Sequence, residues 1–161
     1  MPVSHDGMVL APAKLWCDTS TSAENQWFID ALGGEQAALD RLGVLPQTGY
    51  TVSKIIRFKQ QHPELWQQLR YVLLPHDYLN FWLTGQACAE YGDASGTGLL
   101  NIRTREWDQP PLILSIRKAV YGRRCRRWCA QSKSSARFVR RSRRSSVFPR
   151  KPAWHPAAAI T

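Results

Sequence analysis

The sequence predicts an α/β fold over residues 1–109, followed by an irregular, strongly basic C-terminal tail over residues 110–161. Three observations predict it. In the first part, apolar residues switch between helical spacing and short strand-like runs, punctuated by Gly and Pro. Hydrophobic residues are 43% of the 161, enough for one packed core of ordinary domain size and too little chain for a multidomain enzyme. Residues 1–110 carry 8 Lys and Arg against 12 Asp and Glu, a net charge of −4, whereas residues 111–161 carry 14 cations and no carboxylate. The formal net charge of +10 therefore belongs to the tail and is not a patch on the α/β part.

The elements follow in chain order. Met1–Val3 and Met8–Leu10 are short apolar runs around Ser4-His5-Asp6-Gly7, a turn whose Gly suits a hairpin. The chain thus opens inside a sheet, which predicts a pairing segment upstream. Thr21 and Glu24 have the spacing of a capping box, so a helix is expected from there. Its buried face is expected to hold Trp27, Phe28, Ala31 and Leu32, and Gly33-Gly34 stops it. A second short helix carries Ala38, Leu39 and Leu42 and ends at Gly43.

After the loop Gln47-Thr48-Gly49-Tyr50, Thr51 or Ser53 is positioned to cap a helix with Val52, Ile55 and Ile56 on one side. His62-Pro63 breaks it, and Pro63 opens another helix with Leu65, Trp66 and Leu69. Tyr71–Leu74 reads as a buried strand. Pro75-His76-Asp77 opens a helix expected to bury Tyr78, Leu79, Trp82 and Leu83, with Gly85 as its stop. Glu90–Thr97 reads as a polar loop and Gly98–Ile102 as a strand.

Cys17, Cys88, Cys125 and Cys129 lack the spacing of a disulfide scaffold, and no secretory leader or membrane-length apolar run occurs, so a cytoplasmic location is expected. Cys125 and Cys129 with His155 make an incomplete zinc set, and no metal site is expected.

Four segments in register, Leu15-Trp16-Cys17-Asp18-Thr19, Thr48–Lys54, Val72–Leu79 and Asp93-Ala94-Ser95-Gly96-Thr97, resemble the amino-terminal domain of FGGY carbohydrate kinases, closest to the xylulokinase group. The resemblance covers about Val3 to Asp108. It implies part of an actin/ribonuclease H-like ATPase-type domain, from an enzyme that uses ATP and Mg²⁺ to phosphorylate a ketopentose or polyol. It also implies that Trp16, Asp18 and Tyr50 border the sugar: an indole as an apolar wall for C–H groups, a carboxylate accepting from hydroxyls, and an aromatic ring beside them. From the residues alone, a core indole, a capping carboxylate and a packed phenol ring stay open for the same positions. Asp93 and Ser95 read as a structural turn.

Phosphoryl transfer needs a phosphate cradle, a bound Mg²⁺ and a base on the attacking hydroxyl. The family's Asp-x-Gly-Thr loop and its sugar-binding segment would fall before Met1, and its Gly-Gly-Gly-Asp-like segment after Pro110, where the sequence has none. The expectation is an internal fragment, inactive by itself and without a catalytic residue or a strong ATP or Mg²⁺ site of its own.

The tail contains Arg123-Arg124-Cys125-Arg126-Arg127-Trp128 and Arg140-Arg141-Ser142-Arg143-Arg144, which suit phosphate contacts, with Trp128 and Phe138 available for base stacking. The alternative function is thus an α/β module with an Arg-rich arm binding RNA or DNA non-specifically. Yet apolar periodicity ends at Ile116, and the Arg, Ser, Cys, Trp and Pro content matches out-of-frame reading of GC-rich coding DNA. A frame disruption near Pro110 is the expectation.

Overall fold

The computed structural model describes residues 1–109. The chain begins with strand β1 (Pro2–Ser4), which turns at Gly7 and comes back so that Val3 faces Val9. Ser4 N donates to the Met8 carbonyl and Leu10 N to the Pro2 carbonyl, both at 2.9 Å, so the expected hairpin is formed. On its other side β1 pairs antiparallel with β2 (Leu69–Val72), with Pro2 opposite Val72. The strand expected at Tyr71–Leu74 therefore starts two residues earlier, because Leu69 is drawn into the sheet by its pairing with Ser4.

Helices α1 (Ser22–Ala31), α2 (Glu35–Leu42), α3 (Thr51–Gln61) and α4 (Pro63–Gln68) lie between these strands in sequence. α1 packs on α3, and Phe28, Leu42, Val52, Ile55, Ile56, Trp66, Leu69, Val72 and Leu99 form one apolar cluster. The face of α3 is as the sequence predicts. That of α1 is rotated: Phe28 and Ile29 are buried, while Trp27 is 49% exposed. Gly43 ends α2 in the left-handed region at φ 79°, and a Cβ there would stand 2.6 Å from Ile102 Cγ1, so both backbone and space require glycine.

The capping box at Thr21 is not formed. Thr21 is fully buried and turns its hydroxyl to the Thr48 carbonyl, 3.1 Å away, and to Ser53 Oγ, 2.9 Å away. Ser53 in turn serves this cluster and the Tyr50 carbonyl, and neither it nor Thr51 caps α3 through a side chain. A buried hydroxyl needs a partner, and a long-range carbonyl meets that need better than a helix end still open to water.

Helix α5 (Pro75–Thr84) starts and stops where expected, with Gly85 in the left-handed conformation. Its expected buried stripe is a correction: Leu79, Trp82 and Leu83 are 55, 45 and 45% exposed. The docked face carries Asp77, 2% exposed, and Phe81, whose ring lies 5.5 Å from that of Tyr71. Helical spacing groups residues on a face, but another element has to arrive to cover it. The loop expected at Glu90–Thr97 contains a short helix, α6 (Tyr91–Ser95), because the Glu90 carboxylate accepts from Gly92 N and Asp93 N and so caps a turn. The strand expected at Gly98–Ile102 is two residues long, β3 (Leu100–Asn101), paired with β4 (Glu106–Trp107). The result is mixed helix and strand, with two antiparallel two-stranded sheets among the described residues. No helix among them is long and apolar enough to cross a membrane. The expected basic tail, with its arginine tracts and Cys125, Cys129 and His155, lies outside the described residues.

Candidate functional site

Between the loop of residues 11–18, helix α3 and the start of α6 lies a cleft of about 810 Å³. Trp16 and Asp18 line it from the loop, Lys54 and Phe58 from α3, and Asp93 from α6. Trp16 is 84% exposed, which no packing role explains, so its indole stands at the cleft as a free apolar surface. The core-indole reading of Trp16 is thereby excluded. Tyr50 sits at the N-terminal boundary of α3, half-buried and packed against the apolar cluster. Its neighbours Gly49 and Thr51 line the cleft, whereas its own ring is not among the lining groups.

The loop is held by polar contacts at both ends. Asp18 Oδ1 accepts from Ser20 N at 2.9 Å and Oδ2 pairs with Lys14 Nζ at 3.0 Å. The Ser20 side chain, then its backbone N–H, then the Lys14 ammonium hold the Asp18 carboxyl well below the usual carboxylate range. Asp18 is thus an ionised acceptor among the cleft-lining residues, and its bond to Ser20 N is an i,i+2 turn contact that precedes α1 and does not cap it. From the α3 side, Lys54 Nζ donates to the Leu15 carbonyl and to the Gly49 carbonyl, each at 2.7 Å. Burial pushes the Lys54 ammonium below its ordinary value, and the Asp18 charge opposes that shift.

At the α5–α6 rim, His76 stands between two carboxylates: Nε2 is 3.0 Å from Asp77 Oδ1, and Nδ1 is 2.8 Å from Asp93 Oδ2. Asp77 Oδ2 accepts from Leu74 N at 3.3 Å and caps α5. Burial raises the Asp77 carboxyl to about 6, against the lowering effect of His76. Asp93 therefore joins the cleft rim, while Ser95, donating to the Gly92 carbonyl, is the structural turn expected.

Sequence reading missed Lys54, whose partners are 39 and 5 residues away and leave no local mark. It also missed Lys14, although the i,i+4 spacing to Asp18 was there to be read. A cation could be offered ligands by His76, Glu90 and Asp93. That trio includes a nitrogen, its Glu90 carboxylate is engaged in capping α6, and it does not suit Mg²⁺, which takes oxygen ligands. The cleft cations are likewise committed: Lys14 to Asp18, Lys54 to two carbonyls, and Arg57 to the Ser20 carbonyl and to Glu24, 3.6 Å away. They form no phosphate cradle.

A model of the N-terminal domain of the FGGY family of carbohydrate kinases matches residues 1–117. The chain is 52% identical over 98 residues to a xylulose kinase of Haemophilus influenzae, an alignment covering 61% of this chain and 20% of that one. It is 39% identical over 98 residues to a xylulose kinase of Lactococcus lactis, covering 61% and 19%. The chain spans about a fifth of the length of these curated relatives. Among solved structures, a xyloylose kinase from Brucella ovis superposes with a TM-score of 0.65 at 28% identity, covering 71% of this chain and 23% of that one.

Proposed function

This chain belongs to the FGGY family of carbohydrate kinases, and on that premise we propose that its cleft is the sugar-side wall of an ATP-dependent kinase acting on D-xylulose or a related ketopentose or polyol. The observation that carries the reading is the pairing of an exposed indole with an ionised, loop-anchored carboxylate on one cleft. The Trp16 ring covers the apolar C–H face of a sugar, and Asp18 accepts from one or two of its hydroxyls. Tyr50, packed against the apolar cluster at the base of α3, supports this wall from behind through Gly49 and Thr51, which flank it and line the cleft. The architecture we assign is part of an actin/ribonuclease H-like domain, in keeping with this chain's mixture of helix and strand and its likeness to a solved sugar kinase.

In such an enzyme the γ-phosphoryl group passes from ATP to a sugar hydroxyl. The described residues supply sugar contacts. They do not suit ATP phosphates or Mg²⁺, since the cleft cations are paired within the fold and the Glu90 carboxylate caps α6. The other reading, non-specific RNA or DNA binding by an Arg-rich arm, rests on residues outside those described, and the comparisons lend it no support.

Titration of the full chain with D-xylulose, followed calorimetrically, tests the proposal. Saturable binding that is lost in Trp16→Ala and in Asp18→Asn is expected. Absence of saturable binding to D-xylulose, D-ribulose and their polyols would sink it.

A further inference from the structure

We propose that Lys54 is a positioning residue for the cleft, fixing the Trp16–Asp18 loop to the N-terminal turn of α3; as a statement about sugar binding this rests on the function proposed above. The ammonium donates to the carbonyls of Leu15 and Gly49 at 2.7 Å each, so one side chain bridges two segments 34 residues apart in sequence. Charge-assisted bonds of this length are among the stronger a side chain makes. Both acceptors are backbone groups of the segments that carry the candidate sugar contacts: Leu15 precedes Trp16, and Gly49 precedes Tyr50.

A second contact closes the same junction. The Trp16 carbonyl approaches Gly49 so closely that a Cβ on residue 49 would stand 2.4 Å from its oxygen. The loop therefore packs backbone against backbone at Gly49 and is tied there by Lys54. Beyond the loop's end, Arg57 of α3 also donates to the Ser20 carbonyl, but residues 15 and 16 themselves are held at the Lys54 junction. Leu15 is 67% exposed and Trp16 84%, and the Asp18 bonds to Ser20 and Lys14 are made within the loop and its immediate continuation. Without the Lys54 bridge, the indole and the carboxylate would keep their chemistry but lose their shared orientation across the cleft.

The test is hydrogen–deuterium exchange on the full chain, comparing the wild type with Lys54→Met and Lys54→Arg, followed by D-xylulose titration of the same samples. Peptides spanning residues 11–18 are expected to exchange about ten-fold faster in Lys54→Met, the size expected for losing charge-assisted hydrogen bonds. Peptides from β1, β2 and α3 are expected to keep their protection. Lys54→Arg, which retains donors for both carbonyls, is expected to recover most of the loop protection. Unchanged loop exchange in Lys54→Met overturns the proposal. If Lys54→Met loses core protection as well, Gly49→Ala becomes the deciding variant: it leaves Lys54 in place, and it must release the same loop or the proposal falls. The two readings fail separately. Loop release with no sugar binding by the wild type defeats the sugar assignment alone, whereas sugar binding of equal affinity in wild type and Lys54→Met with an unmoved loop defeats the positioning role alone.

Discussion

The carbonyl oxygen of Trp16 lies directly against the α-carbon of Gly49, leaving no room for a side chain there: a Cβ on residue 49 would be 2.4 Å from that oxygen. Gly49 is not among the positive-φ glycines, so the requirement is one of space and not of backbone conformation. Gly49→Ala is expected to lower stability by about 1–3 kcal/mol, the range for overpacking a close contact. The midpoint of urea unfolding checks this, and an unchanged midpoint would show that the loop shifts freely.

Trp16→Ala is expected to leave the unfolding midpoint within about 0.5 kcal/mol of the wild type, because surface substitutions rarely do more. The indole is 84% exposed. The same variant is expected to abolish D-xylulose binding measured calorimetrically, so that stability and binding separate at this residue.

Phe28→Ala is expected to destabilise by about 3–5 kcal/mol, as for a large core ring replaced by a cavity. Phe28 is fully buried in the central cluster. Its neighbour Trp27, at 49% exposure, is expected to tolerate Ala with a loss of about 1 kcal/mol. Equal effects in chemical denaturation would contradict the rotated face of α1.

Thr21→Val keeps the shape of the side chain but removes the hydroxyl that meets the Thr48 carbonyl at 3.1 Å and Ser53 Oγ at 2.9 Å. A loss of about 1–3 kcal/mol is expected, because buried groups are left without a partner. Were the hydroxyl merely capping α1, Thr21→Ser would be neutral and Thr21→Val would cost about 1 kcal/mol.

Asp77 gives the fold a pH-dependence of definite sign. Burial lifts its carboxyl from an ordinary 3.8 to about 6, with His76 opposing. A carboxyl raised in the folded state favours folding when protonated, so its stabilising effect is full below the ordinary value and declines as pH climbs towards 6. Asp77→Asn is expected to remove that decline, a difference of about 1–3 kcal/mol between the ends of the window. Urea unfolding of both proteins from acid to neutral pH measures it, and parallel curves would refute the assignment.

Legible in the residues alone were a mixture of helix and strand, the hairpin at Gly7, the ends of α2 and α5 at Gly43 and Gly85, and the face of α3. These depend on local spacing, on glycine's freedom at positive φ, and on composition, all of which act over a few residues. Packing in three dimensions set which face of α1 and α5 is covered, that Thr21 bonds across to Thr48 instead of capping its own helix, and that Lys54 joins the Leu15 and Gly49 carbonyls. The physical reason is the same in each case. Burial and hydrogen-bond satisfaction are set by whichever distant segment arrives at a surface, and a side chain's nearest partner in space need leave no trace in its nearest neighbours in sequence.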